Sequence, residues 1–449
     1  MSSSKFEEYL GKVTSRVKWK AAHSMIKKEL TIHLEQLSSC YQNQEYSKQE
    51  AEEKAIAEMG NPYTVGENLN RLHKPKMDWV LVSLFFIIAG ISFLPLVGGI
   101  PQFDLPGSYF LQRQALWYTF AISMIIIMLF FDYRKLLNWW KLFIAVGITL
   151  LLFTHFFGVP KAGIMRWVLI GNIHIDVSGV SLFFFFVGWA GIISKIHDEF
   201  TTWKKQVLVL LLFWFPILLY TVLPQFITSI IYFVCVVTMF AFSGVSKKFV
   251  IKSLAINGVF GIAWLSILSY FIMNTQHRLD RLLAFINPVE HAFGAGYINL
   301  LISDVLSQAG WFGNGIFNGI NMRSLPESHT DYVFPWLVYS LGWTFGIFLC
   351  LLLLLFICRI SVNALKTKDL FGRLLVMGGA ALFTVPICWN ILMVVGLLPI
   401  TGVSLPFISY GGTMLLFYSA VLGIILSVYR RKGSIGDSSP ASFGSRNSG

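Results

Sequence analysis

Long apolar runs alternate with short polar connections through most of this chain. A helix of about 20 apolar residues can cross the roughly 30 Å hydrocarbon core of a bilayer, so each run predicts one membrane span. The pattern therefore predicts an all-α polytopic membrane protein with about ten spans. Their predicted bounds are 77–98, 113–131, 138–156, 178–195, 206–222, 225–243, 250–272, 334–357, 373–397 and 409–429.

The two ends of the chain have a different pattern. In residues 1–76, apolar side chains recur every three or four residues between Ile26 and Tyr41, which predicts an amphipathic helix. A capping box at Ser47 begins a second predicted helix, and Gly60 ends it. We expect residues 1–76 to form a cytoplasmic helical domain, which resembles the prefix domains that precede some permeases. Residues 431–449 are rich in Ser and Gly and are predicted to be disordered.

Composition supports the membrane class, and the charge pattern predicts the orientation. The chain has 449 residues, of which 55% are hydrophobic and 13% charged, whereas roughly a quarter of the residues of a soluble domain are charged. Residues 1–76 hold 12 basic and 10 acidic side chains, so the positive surplus lies largely in short connections between spans. Basic connections face the cytoplasm, which predicts that both termini of this multi-pass protein are cytoplasmic. This placement argues against a nucleic-acid partner.

The connection at 273–333, between the seventh and eighth predicted spans, is the large outer loop. Its end brings Glu327, His329 and Asp331 directly against an apolar run. Ionisable groups are costly beside lipid, so this cluster predicts a functional site. Two plainer interpretations of Asp331 are an exposed loop carboxylate and an N-cap of the following helix. The three side chains would form a cation site only if the fold brings them together.

Two segments carry a family resemblance. Gly396–Gly412, which contains Pro-Phe-Ile-Ser-Tyr-Gly-Gly at its end, and Leu325–Tyr332 resemble the signatures of the SEDS family (shape, elongation, division and sporulation proteins). Weaker similarities lie at Gln114 with Trp117, at 165–168, at 278–288 and at 311–315. The resemblance covers residues 77–430, and it implies ten spans with a large outer loop between the seventh and eighth.

The resemblance also implies an activity. SEDS proteins polymerise lipid II into glycan strands at the outer face of the membrane, usually beside a class B penicillin-binding protein. Asp331 matches the catalytic carboxylate, which would act as general base toward an acceptor hydroxyl. His329 and Glu327 would assist it in contacting the substrate. The leaving pyrophosphate would be stabilised by arginines or by a divalent cation such as Mg²⁺ or Mn²⁺, and the outward-facing arginines are Arg166, Arg278 and Arg281.

The chain departs from the family pattern at three places. Family carboxylates are replaced at Val338–Ser340 and at Asp176–Gly179, the family lysine is replaced by Leu182, and a Pro-Asp-Leu-Gly-Thr stretch becomes Pro224–Thr228. Two alternatives to polymerisation therefore stay open. In the first, the chain is a regulatory paralogue that binds lipid II without turnover. In the second, it is a transporter of lipid-linked precursors.

Overall fold

The computed structural model describes residues 4–72, 77–100, 106–161, 164–171, 173–195, 202–244, 247–273, 276–316 and 325–431. These residues divide into two compact units. The first ends at Met77 and includes residues 429–431, and the second is Asp78–Val428. The predicted disordered tail lies outside the described residues, except for Arg431, which ends a helix.

The amino-terminal unit is a bundle of short helices. Both predicted helices form, and the stripe that begins at Ile26 packs with Phe6 and Val13 into an apolar core. The capping box is complete, because Ser47 Oγ accepts from the Glu50 N–H and Glu50 Oε2 accepts from the Ser47 N–H. The first and last helices were not predicted. The unit contains the helices Ser4–Ser15, His23–Gln42, Lys48–Met59 and Pro62–Leu72, with a 3₁₀ turn at Lys20–Ala22.

The second unit is the membrane part, and it confirms the predicted polytopic all-α class. Eight helices of the described ranges are long and apolar enough to cross a bilayer, and two shorter apolar stretches, Phe226–Ala241 and Ala255–Tyr270, coincide with the sixth and seventh predicted spans. The helices of the spans are Trp79–Ile91, Gly107–Phe130, Trp140–Phe157, Val177–Ser194, Trp203–Val222, Phe226–Ala241, Lys247–Met273, Trp343–Leu365, Leu370–Val394 and Thr413–Arg431, with 3₁₀ turns at Leu94–Leu96 and Tyr133–Trp139.

Aspartates cap three of these helices. Asp78, Asp176 and Asp369 each accept a backbone N–H from the residue three positions later. A carboxylate at this position satisfies one of the free N–H groups of the first turn and interacts favourably with the helix dipole. The caps therefore fix where the first, fourth and ninth spans begin.

The predicted start of the eighth span at residue 334 was wrong. A separate short helix, Val333–Leu341, precedes the span, and the two are divided by Gly342, whose φ is +88°. Nearly every residue of the short helix is buried, so its apolar sequence packs against protein rather than lipid. An apolar run alone does not distinguish these two environments. The outer loop also contains the helices Gln276–Ile286 and Tyr297–Ser307.

A small antiparallel sheet, which the sequence did not predict, joins the third and fourth spans. Its strands are β1 (Val159–Lys161), β2 (Ile164–Ile170) and β3 (Ile173–Asp176), in the order β1-β2-β3. Ile170 pairs with Ile173, so β2 and β3 form a tight hairpin in which Gly171 has a φ of +62°. Trp167 pairs with Asp176, and this register brings Arg166 beside Asp176.

Candidate active site

A cavity of about 860 Å³ lies where the β2–β3 hairpin, the helix Gln276–Ile286, the loop 325–332 and the segment 396–412 meet. Acidic and basic side chains and one imidazole share its wall, together with the backbone of the segment 396–412. These side chains are Arg166, His174, Asp176, Asp280, Arg281, Glu327 and Asp331. The structure thus brings four of the predicted site residues, Arg166, Arg281, Glu327 and Asp331, into one cavity.

The loop that carries Asp331 is a compact turn centred on Glu327. The Glu327 carbonyl accepts the N–H groups of Thr330 and Tyr332, at 3.0 and 3.1 Å, and Glu327 Oε2 accepts from Thr330 Oγ1 at 2.7 Å. Glu327 has a φ of +51°, an uncommon conformation for a residue with a side chain. This turn places Asp331 at the cavity and Tyr332 at the start of the short buried helix, so Asp331 is not the N-cap of that helix.

The segment 396–412 forms another part of the wall, without helical structure. At its centre Phe407 has a φ of +64°, and its carbonyl accepts from the Tyr118 hydroxyl. The Phe407 ring packs 5.1 Å from Phe85 and 5.5 Å from Phe383, measured between centroids. These contacts bury part of an irregular backbone inside protein. Such backbone is tolerated at membrane depth only where protein covers it or where it lines a wet cavity.

Glycines let other groups approach this wall. A methyl group added at Gly412 would lie 2.3 Å from the Trp117 ring, and one added at Gly402 would lie 3.2 Å from Asp331 Oδ2. The backbone at Gly402 therefore lies directly beside the candidate base. The resemblance at Trp117 and in the glycines of the signature thus corresponds to close packing around the cavity.

Arg166 links the hairpin to this wall. Its Nε donates to Asp176 Oδ2 at 2.6 Å, and its Nη1 donates to the Gly402 carbonyl at 3.2 Å. The Arg166 side chain is 19% exposed and that of Asp176 is 6% exposed. Burial lowers the pKa of Arg166, but the carboxylates of Asp176 and Asp331 raise it by more, so its pKa lies above the ordinary value. Arg166 is a fixed cation between two carboxylates.

The outer-loop helix Gln276–Ile286 supplies a second cation. Arg281 and its neighbour Asp280 line the cavity. Arg281 also lies close enough to Tyr332 to influence its ionisation, although burial dominates and raises the Tyr332 pKa. Arg278 lies on the same helix, but its side chain is outside the described residues. The predicted role of Arg278 therefore stays a prediction.

His329 is not among the residues that line the cavity. Its carbonyl accepts the Tyr410 N–H at 2.8 Å, and its ring lies 5.8 Å from the Tyr410 ring. This placement does not test the expected contact of His329 with substrate, which stays a prediction. It favours the interpretation of His329 as a residue that positions the loop.

The predicted cation site has no ready set of ligands. Within the described ranges, no three or more His, Cys, Asp and Glu side chains converge with metal-ligand spacing. Glu327, His329 and Asp331 are therefore not gathered as a three-ligand group, and a divalent cation at this cavity stays a prediction. The residues present fit charge stabilisation by Arg166 and Arg281.

One departure from the family pattern, Asp176, lines this cavity, whereas Leu182, Tyr339 and Ser340 do not. Leu182 is buried beside a separate void of about 30 Å³. Tyr339 and Ser340 are also buried, and their carbonyls accept the N–H groups of Asn314 and Gly315 at 3.0 and 2.9 Å. Leu182, Tyr339 and Ser340 are thus packing residues here. The wall around Asp331 still contains the charged side chains named above.

Sequence reasoning did not select four residues of the wall, His174, Asp176, Asp280 and Tyr418. Asp176 was noted only as a departure from the family pattern. Its position before an apolar run is an N-cap signal, which would have predicted the cap but not the ion pair with Arg166. His174 carries no comparable signal, because it reaches the cavity only through the unpredicted hairpin.

Comparison with known proteins agrees with the motifs. The sequence model of the FtsW, RodA and SpoVE family of cell cycle proteins matches residues 75–433. The chain is 26% identical over 387 residues to the probable peptidoglycan glycosyltransferase FtsW of Aliivibrio salmonicida, with 81% of this chain and 94% of that protein covered. It is 28% identical over 297 residues to the peptidoglycan glycosyltransferase MrdB of Escherichia coli, with 66% and 79% covered.

Solved structures show the same fold. One chain of a peptidoglycan synthase complex is similar with a TM-score of 0.65 and 21% identity, covering 79% of this chain and 98% of that one. The rod shape determining protein RodA of Thermus thermophilus is similar with a TM-score of 0.57 and 19% identity, covering 79% and 97%. The family model spans most of the chain, and the chain therefore belongs to the FtsW, RodA and SpoVE family of cell cycle proteins, the SEDS family that its motifs resemble.

Proposed function

We propose that this protein is a peptidoglycan glycosyltransferase that polymerises lipid II at the outer face of the plasma membrane, with Asp331 as general base. One observation carries the proposal: Asp331 shares a cavity of about 860 Å³ with Arg166 and Arg281. A base and two cations in one site are the groups that glycosyl transfer from a polyprenyl pyrophosphate requires.

The chemistry uses the two kinds of group differently. The acceptor sugar hydroxyl attacks the anomeric carbon of the donor, the new C–O bond forms as the bond to pyrophosphate breaks, and the hydroxyl proton passes to the Asp331 carboxylate. Negative charge develops on the departing pyrophosphate. Arg166 and Arg281 would bind it, and the planar guanidinium suits two-pronged contacts with phosphate oxygens.

The fixed position of Arg166 supports this assignment. Asp176 and the Gly402 carbonyl hold the guanidinium before any substrate binds, so little side-chain reorganisation accompanies the reaction. Preorganised charge of this kind contributes more to transition-state stabilisation than a mobile surface arginine does.

A class B penicillin-binding protein is the partner that this function implies. The similarity of the membrane part to a chain of a peptidoglycan synthase complex supports a partner of this kind. Elongation, division and sporulation are all compatible with the family.

The test is polymerisation of lipid II by the purified protein reconstituted with such a partner. The wild-type protein should make glycan strands, and Asp331→Ala should make at least about 100-fold less, since general-base catalysis contributes a factor of this size. Asp304→Ala is the matched control, because Asp304 is an exposed carboxylate of the same outer loop that does not line the cavity. Equal product from wild type and Asp331→Ala would refute the assignment of the base.

The two alternatives predict different outcomes. A regulatory paralogue would bind lipid II with no product from wild type. The departures at Leu182, Tyr339 and Ser340 lie outside the cavity, and the departure at Asp176 places a carboxylate in its wall that holds Arg166. A transporter would move lipid-linked precursor across vesicles and would tolerate Asp331→Asn far better than a polymerase does.

A further inference from the structure

The loop that carries Asp331 is attached to the rest of the protein through three successive backbone carbonyls. His329 O accepts the Tyr410 N–H at 2.8 Å, Thr330 O accepts from Ser409 Oγ at 2.6 Å, and Asp331 O accepts from Asn390 Nδ2 at 2.8 Å. Tyr410 and Ser409 belong to the segment 396–412, and Asn390 belongs to the ninth span.

Asn390 stands out among these donors because it is a fully buried amide near the carboxyl end of an apolar helix. Its Nδ2 also donates to the Val403 carbonyl at 2.6 Å. Both partners are carbonyl oxygens, which only accept, so the NH₂ group is the end of the amide that fits between them. The Asn390 side chain thus uses both hydrogens of its NH₂ group to join the backbone of Asp331 to the segment 396–412.

Ser409 makes a second bridge of the same kind. Its Oγ accepts the Leu405 N–H at 2.8 Å while it donates to Thr330 O. The two bridges hold the adjacent residues Thr330 and Asp331 to the segment that contains Gly402, whose backbone lies beside Asp331 Oδ2.

We infer that Asn390, assisted by Ser409, is a positioning residue that sets the distance between the Asp331 carboxylate and the cations of the cavity. The inference rests on the proposed function. Asn390 is not a lining residue of the cavity, so it acts through Asp331 rather than on substrate. Arg166 is held separately by Asp176, so substrate affinity is expected to depend little on Asn390. A displacement of about 1 Å at a reacting group can cost roughly 100-fold in rate.

The test compares variants of the full chain, reconstituted with its penicillin-binding partner and lipid II. Asn390→Asp keeps the shape of the side chain but removes the NH₂ donor, and Ser409→Ala removes the second bridge with a smaller change in volume. Asn257→Leu is the matched control, because Asn257 is a membrane-helix amide that accepts from Trp214 Nε1 and does not line the cavity. The readouts are kcat, KM and hydrogen exchange of backbone amides in residues 327–332.

We expect Asn390→Asp to lower kcat by roughly 10- to 100-fold with KM changed less than about twofold, and Ser409→Ala to lower kcat by several-fold. Both should accelerate exchange in 327–332, and Asn257→Leu should leave kcat and this exchange unchanged.

Wild-type kcat in both Asn390→Asp and Ser409→Ala would overturn the inference, and so would exchange in 327–332 that neither variant changes. An inactive wild type would instead refute the proposed function, and hydrogen exchange alone would then decide whether Asn390 holds the loop.

Discussion

Arg166 has two separate tasks, one in the fold and one in the site. It neutralises the largely buried carboxylate of Asp176, which caps the fourth span, and it provides a cation to the cavity. Removing one partner of a buried ion pair leaves the other without its counter-charge, and this costs more than the pair itself contributes. A loss of activity in an Arg166 variant would therefore not separate the two tasks.

A double variant separates them. Arg166→Met should destabilise the protein by about 3 kcal/mol, because Asp176 loses its counter-charge. Arg166→Met combined with Asp176→Asn keeps the N-cap and should recover more than half of the lost thermal stability. Both proteins should polymerise lipid II at least about tenfold more slowly than wild type, because the cation is gone. Apparent Tm in detergent and polymerisation rate are the measurements. A double variant as unstable as the single one would contradict the account of the pair.

At the scale of elements, buried polar groups join helices that are distant in sequence. Asp78, before the first span, accepts from Arg359 Nε at 2.9 Å and from Asn363 Nδ2 at 2.5 Å, and both donors lie on the eighth span. Burial raises the pKa of Asp78, but the hydrogen bonds from Arg359, Asn363 and the Leu81 N–H together lower it by more than burial raises it. The pKa of Asp78 therefore lies below its ordinary value.

This cluster predicts a pH dependence. A carboxyl whose pKa is lower in the folded protein contributes stability above its ordinary value of 3.8, and the contribution disappears as the pH falls through the lower folded value. Asp78→Asn should therefore be less stable than wild type near pH 7, by about 3 kcal/mol. The difference in apparent Tm should shrink below pH 3.8. A difference that does not change with pH would contradict the assigned charge state.

The junction between the short buried helix and the eighth span depends on Gly342. A methyl group there would lie 2.1 Å from the Trp311 carbonyl, and the φ of +88° is unfavourable for any other residue. Gly342→Ala should cost at least about 2 kcal/mol and reduce polymerisation, because the outer loop must shift. Gly90→Ala is the control, since Gly90 lies in a helix with open space around it. Equal apparent Tm for the two variants would refute the steric argument.

At the scale of the whole molecule, the sequence predicted the spans, the family and most of the cavity's charges. Periodicity and apolar length are local properties, so they identified the helices. The sequence pattern did not predict the hairpin or the correct start of the eighth span, because each depends on packing. Val333–Leu341, for example, is apolar but is covered by protein. The ion pair of Arg166 with Asp176 and the bridges of Asn390 depend on contacts between distant residues, which no single-sequence pattern encodes.

Because the chain divides into two compact units, we predict that the membrane part folds without the amino-terminal unit. Deleting residues 1–70 should leave the apparent Tm of the membrane part and polymerisation in vitro close to those of the full chain, while regulation or localisation in cells changes. A deletion variant that is expressed but aggregates in detergent would contradict this independence.

In the proposed function Asp331 performs chemistry rather than binding. The most direct measurement compares wild type with Asp331→Asn in two assays on the same reconstituted complex, lipid II binding and single-turnover glycan formation. Asp331→Asn keeps the shape of the side chain and removes only the base. We predict binding within about twofold of wild type and a rate at least about 100-fold lower. Glycan formation at the wild-type rate by Asp331→Asn would contradict the account.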